Sequence, residues 1–346
     1  MKSLQDIFDQ EPAIEFIRRA MAADRLPHGL IFAGPVGVGK GTTARALAGV
    51  FLCMDPGADQ ASGLPAACGR CDSCRLMKGE THPDYHRVYR QLIRLEKDAS
   101  RAIDLAINVI RDHLIEPAGR KAMLANGKVF VIEEAELMNT SAQNALLKTL
   151  EEPYGRTLLI LLTDQPNLLL PTIRSRCQLV PFSSLPRQRV IDELRRRGID
   201  TAEATDAADF ADGSLGLALR WVEDGVIPHA RQLGMLLKRV LDRANPDASE
   251  LQSLIQTAAG EYADKQLEHD ELASRAQATR EGLMIFLKLS AQMLRSRLRQ
   301  TDDPDLLERL CAGIDAIVKA ENYLDANVNT SLVFQQLTIS LEGQGV

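Results

Sequence analysis

The stretch Gly34-Pro35-Val36-Gly37-Val38-Gly39-Lys40-Gly41-Thr42-Thr43 decides how this chain is read. It follows Gly29-Leu30-Ile31-Phe32-Ala33, a short apolar run that reads as a buried strand. It precedes a segment with helical spacing at Ala44, Leu47, Ala48 and Phe51. Strand, glycine-rich turn and helix start form the setting in which G-x-x-x-x-G-K marks a phosphate-binding loop. Gly34, Gly37 and Gly39 let backbone N–H groups curl around an anion, and the helix N-terminus adds partial positive charge. Lys40 supplies a point charge to the outer phosphates of a nucleotide such as ATP. The next residue is ordinarily a Ser or Thr whose hydroxyl ligates magnesium. Here it is Gly41, and Thr42 and Thr43 are the hydroxyls nearest to that role.

A second apolar run, Lys128-Val129-Phe130-Val131-Ile132, reads as a central parallel strand and ends in Glu133-Glu134-Ala135-Glu136. Acids at the C-terminal end of a strand neighbouring a phosphate loop are placed to hold magnesium and orient a water. Glu133 has the charge for the metal, directly or through water, and is one methylene longer than the usual aspartate; Glu134 follows it. Thr140-x-x-Gln143 reads as a capping box for a helix from Ala142 to about Leu150, stopped by Glu151-Glu152-Pro153. Thr157 to Leu162 is the next buried strand, ending at Thr163-Asp164, and Gln178 to Phe182 the last. Helices are expected over 4–25 and over 102–114, the latter closing before Pro117. Near-continuous apolar strands alternating with helices argue a parallel sheet covered on both faces.

Four of the six cysteines fall in one window, Cys53, Cys68, Cys71 and Cys74, with the spacing C-x14-C-x2-C-x2-C. A C-x2-C knuckle converges two thiolates on one tetrahedral ion. Four thiolates, with His82 eight residues on, favour a closed structural zinc site over a redox dithiol, which leaves two thiols unexplained. The run Pro56 to Ala67 reads as a connection, and His82-Pro83-Asp84 ends the module. Cys177 and Cys311 read as core residues, and His28 as a packed residue at a strand start.

A chain of 346 residues predicts two or three domains. Charged residues make up 25% and the net charge is −6, so the global balance does not predict general affinity for nucleic acid. The basic clusters Arg195-Arg196-Arg197 and Arg295, Arg297, Arg299 read as solvated helix faces. No apolar run is long enough to span a membrane, and Met1 to Asp6 lacks the apolar core of a signal peptide, so a cytoplasmic location is expected. Ser183-Ser184-Leu185-Pro186 reads as a domain boundary, with a second shift near Asn245-Pro246. Beyond the first boundary every pattern is helical: 189–197, 202–211, 216–222, and from Leu251 onward, with a last helix over 332–341 that Asn and Thr residues at 327–330 cap.

Several of these elements carry a family resemblance. The phosphate loop, the cysteine module, His82-Pro83-Asp84, Val131 to Glu136, Ser141-Ala142-Gln143-Asn144-Ala145-Leu146-Leu147-Lys148-Thr149-Leu150-Glu151-Glu152-Pro153 and Ser175-Arg176-Cys177 come in that order. Together they resemble the clamp-loader subunits of bacterial DNA polymerase III, of the AAA+ class. The length, read as lacking a C-terminal extension, and Gly41 and Glu133 at motor positions make the chain most similar to the delta-prime branch rather than gamma/tau. The resemblance implies a RecA-like AAA+ α/β domain over 1–184 with an inserted zinc module, a helical lid over 185–244 and an all-α collar over 245–346. It implies as partners the gamma/tau and delta subunits, the sliding clamp, and primed DNA through the assembled complex. It gives Arg176 the role of an arginine finger reaching a neighbouring subunit's ATP. The family's second sensor arginine follows a Gly-Ser pair; here Gly213-Ser214-Leu215 leads to Gly216, with Arg220 one turn on. An ATP-hydrolysing gamma-like motor is the alternative. Glycine after the lysine also occurs in the adenylate kinase loop, but a phosphotransferase of that kind leaves the cysteines and the 141–153 helix without a purpose.

Overall fold

The computed structural model describes residues 3–59, 61–95, 104–124, 127–241, 248–269, 274–326 and 328–342. The chain divides into two compact units, Met1–Pro186 and Arg187–Val346.

The first unit is built on strands β1 (Gly29–Ala33), β4 (Tyr85–Val88), β5 (Lys128–Ile132), β6 (Thr157–Thr163) and β7 (Gln178–Pro181). They form one parallel sheet in the order β4-β5-β6-β1-β7. Alternation along each strand sends successive side chains to opposite faces. Leu30, Phe32, Val129, Val131, Leu158 and Ile160 therefore enter one core, with Ala13, Ile17 and Leu47 from α1 (Glu11–Ala22) and α2 (Lys40–Leu52). Ile31, Phe130, Ile132, Leu159 and Leu161 enter the other, with Leu146 and Leu150 from α6 (Thr140–Glu151). Both faces are covered, which is why the central strands β1, β5 and β6 read as unbroken apolar runs.

Several elements differ from the expectation. The segment 4–25 is not one helix: a 3-10 turn at Leu4–Asp6 is followed by a break, and α1 starts at Glu11 with Pro12 in its first turn. Proline is tolerated there because its missing N–H has no helical partner in any case. Residues 102–103 lie outside the described residues, and Leu105 is not helical but bridges in parallel to Met138. The helix there is α4 (Ile107–Ile110), a π turn over Arg111–Ile115, and α5 (Glu116–Ala118), so it runs through Pro117. The wider π turn accommodates a residue with no N–H to donate. Lys128 Nζ then binds the carbonyls at its end, Pro117 O at 3.1 Å with Ala118 O and Arg120 O. The cap of α6 is Asn139, whose Oδ1 accepts from Ala142 N at 2.9 Å, and not Thr140. Gln143 instead binds Met138 O at 3.0 Å and Leu170 N at 2.7 Å, fastening the loop that leads into α7 (Pro171–Arg174). The 56–67 connection contains a small antiparallel hairpin, β2 (Gly57–Ala58) and β3 (Pro65–Ala66), ahead of α3 (Asp72–Lys78).

The second unit is helical: α8 (Arg187–Arg196), α9 (Thr201–Phe210), α10 (Leu215–Glu223), α11 (Val226–Leu241), α12 (Ala248–His269), α13 (Arg275–Leu298), α14 (Pro304–Asp325) and α15 (Thr330–Glu342). Asp200, Ser214 and Asp303 cap α9, α10 and α14. Asn329 Oδ1 accepts from Ser331 N at 2.9 Å at the start of α15; Asn327 and the boundary at 245–246 lie outside the described residues. Helices α12 and α13 meet at Gly282, where a Cβ would stand 2.9 Å from Ala259 Cα. Arg196 and Arg197 pair with Glu193, as a solvated face would. Cys311 is exposed rather than core, because it falls on the outer side of α14.

Candidate functional site

The glycine loop joins the C-terminal end of β1 to α2, the edge at which open parallel sheets bind ligands. Gly34 has φ 155°, and a Cβ there would lie 2.2 Å from Phe182 O, so no larger residue fits. Gly39 caps α2 in the left-handed region at φ 111°. A side chain from α1's N-cap holds the loop in place. Gln10 Nε2 donates to Val38 O at 3.3 Å and to Ser183 O at 2.8 Å, while its Oε1 accepts from Ser183 N at 3.0 Å. Nothing in the sequence pattern around Gln10 marked it.

Lys40 is buried, and its Nζ donates to Pro35 O at 2.7 Å and to Gly34 O, so it lies across its own loop. Burial holds its pKa below the ordinary lysine value, opposed by the charges of Asp164 and Glu136. These are not the acids expected at the loop. The strand between β1 and β5 is β6, so Glu133 stands two strands away, about 10 Å across the sheet. Burial pushes the Glu136 carboxyl above its usual range, with Asp164 adding to the shift. Glu136 belongs to the same E-E-A-E run, and only the turn after β5 shows which of its acids faces the lysine.

Glu133 pairs with Arg87 at 2.8 Å and Glu134 with Arg90 at 3.0 Å. Glu134 is also held at φ 50°, an uncommon conformation for a residue with a Cβ. Gly41, Thr42 and Glu133 do come together on one cleft of about 860 Å³, shared with Arg45, Lys78 and Tyr85. Thr43 is fully buried and its hydroxyl donates to Gly39 O at 3.0 Å, so Thr42 alone of the two threonines lines that cleft.

Arg176 sits between α7 and β7. Its guanidinium pairs with Glu151 at 2.6 Å and donates to Thr172 O at 3.1 Å, with 35% of the side chain exposed. The next residue, Cys177, packs over the start of β1, 3.0 Å from where a Gly29 Cβ would be. Burial pushes its thiol up to about 12, so it behaves as an apolar packing group.

The four cysteines of the window converge, with all four Sγ atoms within 4.8 Å of one another. Cys53–Cys74, Cys68–Cys74 and Cys53–Cys71 are 3.6, 3.9 and 4.0 Å apart. A tetrahedral zinc with 2.3 Å bonds separates its sulfurs by about 3.8 Å, so the donors present fit that ion. Backbone N–H groups point at the sulfurs, Cys68 N to Cys53 at 3.3 Å and Cys71 N to Cys68 at 3.4 Å. The N–H groups of Arg70 and Cys71 draw the Cys68 thiol down to about 6, whereas burial pushes Cys53 and Cys74 up. His82 is not a ligand. Its Nδ1 accepts from Asp84 N at 3.0 Å, so Nε2 carries the proton toward Ser73 Oγ at 2.9 Å, and that hydroxyl donates to Leu52 O at 2.7 Å. The Asp84 carboxylate in turn accepts from Met123 N and Leu124 N at 2.7 and 2.8 Å. His82-Pro83-Asp84 thus ties the cysteine module to both the α2 end and the 123–124 loop.

The fold and site define a class, a parallel α/β domain with a glycine loop and a four-cysteine module, followed by a helical region. The model of the DNA polymerase III delta subunit family matches residues 9–186, and the chain belongs to that family. The chain is 41% identical over 150 residues to DNA polymerase III subunit delta' of Pseudomonas aeruginosa, covering 43% of this chain and 41% of that protein. It is 34% identical over 209 residues to subunit delta' of Escherichia coli, covering 60% and 58%. The chain thus spans about half the length of the curated relatives it matches. It is also 30% identical over 268 residues to the replication factor C small subunit of Aeropyrum pernix, covering 74% and 69%. Among solved structures, a DNA polymerase III gamma subunit-related protein from Thermotoga maritima superposes with a TM-score of 0.44 at 16% identity, over 96% of this chain and 99% of that one.

Proposed function

We propose that the chain is a clamp-loader subunit of the delta-prime kind, which contributes Arg176 to the ATP site of a neighbouring motor subunit. One observation carries the reading: Arg176 is presented on a braced turn with its fork held by a carboxylate at 2.6 Å. A planar guanidinium with several donors is suited to spread charge over phosphate oxygens supplied in trans. The chain's own loop supports the same division of labour. Lys40 is tied to two carbonyls, Glu133 and Glu134 are each paired with an arginine, and Gly41 brings no hydroxyl. Partners on this reading are gamma/tau and delta subunits, the sliding clamp and primed DNA, and the work is cytoplasmic. Residues 185–244 would act as the lid and 245–346 as the collar. The cysteine cluster would hold structural zinc.

Purified chain mixed with gamma/tau and delta subunits should co-elute as one complex. Arg176→Ala should leave that complex assembled and lower its clamp-dependent ATP hydrolysis at least tenfold at the site served. Unchanged hydrolysis removes the finger role, and failure to assemble removes the subunit reading. The second reading, a motor in its own right, draws on the shared cleft of Gly41, Thr42 and Glu133. It requires ATP turnover by the isolated chain that Lys40→Ala abolishes.

A further inference from the structure

We propose that the helical unit carries a binding cleft for the phosphate backbone of nucleic acid, lined by α13 and the end of α11. The cleft has a volume of about 860 Å³ and is lined by Lys238 of α11, by Lys288, Arg295 and Arg297 in the C-terminal half of α13, and by Arg299 at its C-cap. Three acids also line it, Asp209, Asp212 and Glu321, and Asp209 is engaged by Arg187 at 3.0 Å. Among the described residues, Lys238, Lys288, Arg295 and Arg299 make no ion pair. A surplus of positive charge in one cleft of a chain with net charge −6 is a local concentration against the global trend.

The arrangement of these cations is what selects the ligand. Alternate spacing at 295, 297 and 299 spreads charge around a helix, but Lys288 changes the geometry. Lys288, Arg295 and Arg299 stand at i, i+7 and i+11, which returns each to the same stripe of a helix. The row is about 16 Å long. Cations in the last turn also offset the partial negative charge of a helix C-terminus, and that accounts for one or two of them. It accounts equally for Lys238 in the last turn of α11, but not for Lys288, about 15 Å upstream of the end of α13. A row of fixed positive charges matches a polymer with repeating negative charge better than a single phosphate. The site lies wholly within the helical unit and does not depend on the role of Arg176.

The test is fluorescence anisotropy of a labelled single-stranded 15-mer with the full chain at 50 and 200 mM salt. If three phosphates are contacted, affinity falls roughly tenfold to twentyfold between those concentrations. The double variant Lys288→Gln/Arg295→Gln, with circular dichroism matching the parent, should lower the slope of log affinity against log salt by about 1.4. Lys288→Arg/Arg295→Lys should restore it. Absence of binding by the parent chain overturns the proposal. So does a double variant with the parent's slope, because the oligonucleotide then sits elsewhere. A double variant that keeps its DNA affinity but loses assembly with sister subunits makes the cleft a protein contact and also overturns it.

Discussion

His82 shows how much one side chain can fasten. Its ring joins Asp84 N–H to Ser73 Oγ, and through that hydroxyl to the Leu52 carbonyl at the end of α2. Burial holds its pKa below the ordinary 6.5, because charging a buried imidazole costs solvation and breaks the bond that Nδ1 accepts. A depressed folded-state pKa gives stability that is fully present above pH 6.5 and is lost as pH falls through the folded value. Urea midpoints of the parent should therefore drop between pH 7.5 and 5.5 by more than those of His82→Gln. Parallel curves would show that His82 does not titrate on unfolding. Gly34 yields a second expectation at this scale. Ala at 34 has to displace Phe182 O and adopt a poor backbone angle, at a cost of about 3 kcal/mol measured by chemical denaturation. Glycine at 34 was legible from the loop pattern alone. The roles of His82, Gln10 and Gln143 were not, because each bonds backbone groups that are remote in sequence, and such bonds leave no local spacing to read.

At the scale of elements, β1, β5 and β6 were visible because burial on both faces makes a continuous apolar run, and the edge strand β7 was read from its place after the Ser175-Arg176-Cys177 turn. Strand β4 was not: it lies at the sheet edge, and its Tyr-His-Arg-Val sequence has only Val88 fully buried. The sheet order was equally hidden, since which strand lies beside β1 depends on crossovers rather than on composition. That order brought Asp164, at the end of β6, beside the loop, while the turn after β5 is what presents Glu136 rather than Glu133 to Lys40. The cysteine window was legible, because a chelate imposes its spacing directly on the sequence. If zinc holds that window, chelation at neutral pH should lower the melting temperature of the chain and release one ion per chain to a colorimetric indicator. Cys71→Ser should do the same without chelator, since a site lacking one thiolate loses most of its affinity. Acid should mimic the chelator, as protons compete for the thiolates. A chain that keeps its melting temperature through all three treatments does not rely on metal.

At the scale of the whole molecule, the division into 1–186 and 187–346 gives each part its own buried core. The two α/β cores, on the two faces of the sheet, lie entirely within the first part, so the fragment 1–186 should express as a folded protein with cooperative unfolding. A fragment that unfolds without a transition would mean that the first core depends on the second part. The helical character of the second part was legible from periodicity, whereas the way its helices share one compact unit rests on close approaches such as Gly282 on Ala259. The Glu151–Arg176 pair has a consequence for any assembly this molecule joins. A guanidinium that already holds a carboxylate receives a second anion by exchange, with Glu151 acting as a tethered competitor. The free energy of the new contact is then the difference between two charge-assisted pairs, not the gain of one. Such a contact forms and dissolves readily, which suits the reversible role proposed for Arg176.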